Sequence, residues 1–95
     1  MNTVTQTTRD VSGVDAGDVI GVRYESVHGS PAADHTMVLR VTDAGHNVTA
    51  TAFGGDDTFV VRTDGPTATE LAKEDTFGNA RRVGYVADVT RMGWV

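Results

Sequence analysis

The chain has 95 residues, a formal charge of -5, a pI near 4.9 and no cysteine. That length allows one domain with one modest core. The missing cysteine excludes disulfide staples, thiolate catalysis and Cys-based zinc sites, and the acidity counts against an ordinary phosphate-backbone binder.

Residues 1–16 are polar and Thr-rich, and read as a flexible or loosely paired segment ahead of a single small β domain over residues 17–95. The first strand is expected over Asp18–Val27, with Ile20, Val22 and Tyr24 on one face and Gly21, Arg23 and Glu25 on the other. Gly21 suggests a bulge or bend. The loop from His28 to Asp34 is too long for a tight hairpin. A second strand, His35–Thr42, sets Met37, Leu39 and Val41 against Val38 and Arg40. After a turn at Asp43–His46, a third strand over Asn47–Phe53 offers Val48, Ala50 and Ala52 to one face and Thr49, Thr51 and Phe53 to the other. Gly54-Gly55-Asp56-Asp57 turns the chain into a fourth strand, Thr58–Thr63, with Phe59 and Val61 opposite Val60 and Arg62.

Asp64-Gly65-Pro66 then breaks the pattern. Residues 67–75 predict a short helix: Thr67 and Glu70 have capping-box spacing, and Gly78 suits a C-terminal stop. Leu71 and Phe77 are expected to plug one end of the sheet. The last strand, Arg81–Arg91, places Val83, Tyr85, Ala87 and Val89 on one face. Fifteen valines and fourteen threonines reinforce the all-β reading, because β-branched residues fit pleated surfaces better than helices. The order of elements resembles a five-stranded antiparallel SH3-like small barrel, or a strongly curved sheet, with one short helix before the last strand. An open sheet of this kind would need its edges covered, for instance by dimerisation.

No catalytic set emerges. Ser26, Ser30, His28 and Asp34 share one loop without a rigid scaffold, and no nucleophile elbow or phosphate-binding glycine motif occurs. No enzymatic activity and no cofactor are expected. The weak candidate for a metal is His28, Asp34 and His35, an N/O set whose spacing matches no known motif.

The charged residues carry the strongest bias. Seven arginines accompany a single lysine, Lys73, and ten aspartates accompany three glutamates. Such a surface suits a halophile-like, salt-rich cytosol, where excess negative charge keeps proteins dispersed under heavy screening. No apolar run approaches the ~20 residues of a membrane helix, and the first residues lack a signal peptide's basic and apolar regions. A cytoplasmic protein is therefore expected. Arg23, Arg40 and Arg62 fall in the outward register of their strands, beside Phe53, and Arg81 and Arg82 extend the set. Guanidiniums around an exposed aromatic suit phosphate contacts with base stacking, or a protein partner. Met92 and Trp94 form a second candidate anchor. The expected function is a small interaction or assembly module that binds a protein partner or itself. The alternative is a nucleic-acid-associated regulator working through the arginine face.

Overall fold

The computed structural model describes residues 9–27 and 34–94. Six strands follow one another: β1 (Asp18–Ser26), β2 (Asp34–Ala44), β3 (Val48–Ala52), β4 (Thr58–Asp64), β5 (Thr67–Glu74) and β6 (Ala80–Trp94). Each pairs antiparallel with the next, and β6 returns to pair with β1, closing a barrel. The expected all-β small barrel forms, with six strands instead of five. Every strand has two neighbours in the closed order, while residues 86–94 of β6 and 34–37 of β2 pair along one side only, with β1. No helix long and apolar enough to cross a membrane occurs among the described residues.

The interior is filled by the faces that the alternation marks. Ile20, Val22, Leu39, Val41, Val61 and Leu71 are fully buried, and Ala50, Phe59, Val86 and Val89 complete the packing. Residues 10–17 lie across the lower end of the barrel. Asp10 bridges Thr67, Val11 N donates to Pro66 O at 2.9 Å, and Gly17 N donates to Val41 O at 2.8 Å. Val11 and Val14 are thereby buried in the core. The turn between β2 and β3 is held at the same end by Thr63, whose Oγ1 donates to His46 O and whose N donates to Asn47 Oδ1.

The short helix expected over residues 67–75 is not formed; that stretch is β5. The reason is a bulge. Arg62 pairs with Glu70 but Thr63 pairs with Ala68, so Thr69 is an extra residue, and its Oγ1 donates to Arg62 O at 3.0 Å. The bulge brings Ala68 and Leu71, three positions apart, into the same core. Together with buried Ala72 they copy the apolar spacing of a helix. Leu71 does enter the core, but Phe77 does not plug the sheet and stands in solvent.

The last strand departs from strict alternation for the same cause. Its pairing skips Val83 against β5, and Ala87 and Met92 against β1. Val86 and Val89 are the residues fully inside, Val83 packs against the core from a partly buried position, and Tyr85 is exposed. The expected shared face of Val83, Tyr85, Ala87 and Val89 is therefore broken up.

Candidate functional site at the loop-bearing end

Antiparallel order places the ends of β1, β3 and β5 at the upper end, where residues 53–57 and 75–79 make their turns. The lower end holds residues 10–17 and the turns at 45–47 and 65–66. Two exposed phenylalanines lie at the upper end. Phe77 is 88% exposed and Phe53 50% exposed.

Phe77 occupies the tip of the β5–β6 hairpin, in the run Asp75-Thr76-Phe77-Gly78-Asn79. Asp75 organises this tip. Its Oδ1 accepts from Phe77 N at 2.8 Å and Asn79 N at 2.9 Å, while its own N donates to Asn79 O at 2.8 Å. Gly78 supplies the left-handed residue, φ 82°, that closes the turn. The hydrogen bonds from Asn79 N and then Phe77 N, with Arg81 nearby, hold the Asp75 carboxyl below its ordinary value of 3.8. The tip is thus a fixed loop, and the ring it presents is held out in water. Sequence reasoning assigned Phe77 to the interior. The spacing of Asp75 to Gly78 is itself a hairpin signal, masked by the helix-like spacing upstream.

Below the tip, the two strands and the end of β1 border an open groove of about 730 Å³. Lys73, Glu74, Arg81, Arg82 and Val83 line it. Lys73 Nζ lies 3.6 Å from Asp57 Oδ2, linking this hairpin to the neighbouring loop. Arg82 is turned toward the barrel wall, its Nε 2.8 Å from Glu70 Oε2 and its Nη1 donating to Tyr85 Oη at 2.9 Å. Arg81 and Glu74 form no ion pair or hydrogen bond through their side chains among the described residues.

The arginines expected on one face are divided among three places. Arg62 and Arg82 both meet Glu70, at 3.2 and 2.8 Å, across β4, β5 and β6. Arg23 Nε donates to Asp88 Oδ2 at 2.7 Å across β1 and β6. Arg40, on β2, lies 5.5 Å over the ring of Phe53. β2 and β5 are three strands apart in either direction, so closure sets the Arg40–Phe53 pair opposite the Glu70 cluster. An alternating pattern reports which side of the sheet a residue faces. It does not report how far the sheet curves.

Met92 is 58% exposed near the lower end and rests against Gly21, where an added Cβ would meet its sulfur at 3.3 Å. Trp94 is placed by its backbone, which pairs with Asp18; its side chain lies outside the description. Of the candidate metal ligands, His28 lies outside the described residues, and Asp34 is placed by its backbone opposite Glu25. His35 stacks on Tyr24 with ring centroids 5.5 Å apart. No group of three or more His, Asp or Glu suited to a metal occurs among the described residues. No family model matches the chain, and neither a curated protein nor a solved structure matches it.

Proposed function

We propose that this protein is a small interaction and assembly module of a salt-rich cytoplasm, docking through the loop-bearing end of its barrel. The observation that carries this reading is Phe77, 88% exposed at a tip whose backbone is fixed by Asp75. A large apolar ring held in water is unfavourable for the isolated chain and favourable on docking. Pre-ordering the loop lowers the entropic cost of docking. The acidic, arginine-biased composition supports the salt-rich setting.

Photo-crosslinking inside cells tests the docking end. A photoreactive phenylalanine analogue in place of Phe77 is expected to yield a discrete covalent adduct, and the same analogue in place of Met92 is not. Adducts only from position 92 would move the docking surface to the lower end. None from either position would remove the module reading.

A nucleic-acid role has one specific observation in its favour, the Arg40 guanidinium over the exposed Phe53 ring. Against it, Arg23, Arg62 and Arg82 are engaged by carboxylates, and the chain carries -5 overall. Retention on single-stranded oligonucleotide that persists in high salt and is lost in Arg40→Ser would favour that role.

A further inference from the structure

We infer that the docking end takes a cationic segment of a protein partner, whose arginine stacks on the Phe77 ring and meets the carboxylates beside it. This rests on the docking reading above and adds the chemistry of the occupant. Three observations carry it.

The first is a ring without a cation. Three aromatic rings are exposed among the described residues: Phe53, Phe77 and Tyr85. Two of them carry an arginine of their own chain, Arg40 at 5.5 Å over Phe53 and Arg82 at 5.2 Å over Tyr85. Phe77, the most exposed of the three, has neither a cation nor another ring against it among the described residues. Its π face is therefore open to a cation from another chain.

The second is the carboxylates beside that ring. Arg82 shows how a ring and an acid hold one guanidinium together: it lies over Tyr85 while its Nε is 2.8 Å from Glu70 Oε2. A planar guanidinium can do both, because its N–H groups radiate within the plane that stacks. The Phe77 tip repeats the accepting half of this arrangement. Glu74 and Asp75 immediately precede the tip, and Asp56 lies on the neighbouring turn. The cations of this hairpin are already engaged: Arg82 with Glu70, Arg81 by charge with Asp75, and Lys73 with Asp57 at 3.6 Å. Glu74 and Asp56 form no ion pair among the described residues.

The third is what these groups exclude. A nucleic acid or an acidic lipid surface would meet the carboxylates with like charge. A purely apolar surface would cover Phe77 only by stripping water from Glu74 and Asp56 without replacing it. A cationic segment covers the ring and neutralises the acids together. The bonds from Phe77 N and Asn79 N to Asp75 hold the tip in one shape, ready for such a contact.

The test follows backbone amide shifts of the full chain by NMR in dilute buffer, titrated with three probes. These are a capped peptide of alternating arginine and glycine, the same peptide with glutamate for arginine, and spermidine. The arginine peptide is expected to give saturable shifts over residues 74–79, and the glutamate peptide none. Phe77→Leu keeps an apolar side chain and the backbone bonds of the tip, and weakens the arginine peptide about 2- to 5-fold. Glu74→Gln weakens it by about the same factor. Circular dichroism confirms the fold of each variant. No shift at the tip, a glutamate peptide bound as tightly, or a Phe77→Leu variant that binds the arginine peptide like the wild type overturns the inference. Spermidine bound as tightly, with the same loss in Phe77→Leu, assigns the site to a free polyamine and overturns the protein segment. If the arginine peptide fails while position 77 still crosslinks to a protein in cells, the docking reading stands without a cationic occupant; if position 77 crosslinks to nothing, both fall.

Discussion

Replacing Gly84 by alanine tests how closely β1 and β6 are packed at the barrel's closing seam. Gly84 pairs with Ser26 on one side and Leu71 on the other. An added Cβ would overlap Glu25 O, lie 2.7 Å from Tyr24 Cδ2 and lie 2.9 Å from the Glu25 carbonyl carbon. Reaching even a tight 3.4 Å contact requires the Tyr24 ring to withdraw by about 0.7 Å. That ring is buried and stacked on His35, and the other obstacle is backbone, so neither moves without parting the strands. Overpacking of a core costs about 1–3 kcal/mol, and two rigid obstacles place this site near 3. The lower entropy of the unfolded alanine chain offsets about 0.4–1 kcal/mol, leaving a net loss of about 2 kcal/mol. In a domain of this size that lowers Tm by about 8–16 °C. Thermal and urea unfolding followed by circular dichroism would measure it, with Gly55→Ala as the control. At Gly55 the nearest atom to an added Cβ is Ala52 Cβ at 3.5 Å, ordinary contact, so the control should stay within about 0.5 kcal/mol of wild type. A Gly84→Ala protein melting with the wild type would refute the close seam.

Glu70→Gln removes the carboxylate shared by Arg62 and Arg82 and leaves two guanidiniums facing a neutral amide. Both arginines are more than a third exposed, so the expected loss is only about 1 kcal/mol in dilute buffer. Multimolar KCl should shrink it further; an equal or larger loss there would show that the cluster does not act through charge. At the hairpin tip, the folded Asp75 carboxyl titrates below the unfolded one because Asn79 N and Phe77 N bind its charged form. Its contribution is therefore complete above the ordinary value of 3.8 and disappears as the pH falls through the lowered one. Amide exchange at Phe77 and Asn79 should accelerate only in that acid range, and Asp75→Asn should abolish the transition; a transition near neutral pH would contradict the capping role.

Five of the six strands were legible, and in the first four nothing interrupts the interior pairs. Ile20 with Val22, Leu39 with Val41, Val48 with Ala50 and Phe59 with Val61 all obey a period of two and all point inward. β5 itself and the inward face of β6 were obscured by the extra residues at Thr69, Val83, Ala87 and Met92, each of which shifts the alternation by one. One such shift produced the false helical spacing, and that in turn hid the hairpin that carries Phe77. Val11 and Val14 gave only a weak pairing signal because they belong to a cap across the barrel's end. The outward register of Arg40 and Phe53 was readable. The role of Glu70 was not, because it depends on β5 being a strand.

Joining β6 to β1 has a consequence for how the chain acquires its structure. Five of the six strand pairings link consecutive segments and can form as each hairpin is completed. The sixth brings Asp18 beside Trp94, across most of the sequence. Closing so long a loop carries an entropic cost that only the finished seam repays, which makes it the slow step. Until β6 has been synthesised, β1 presents an unpaired edge rich in valine and isoleucine, open to pairing with other chains. Shortening β6 would therefore produce aggregation during synthesis out of proportion to the stability it removes.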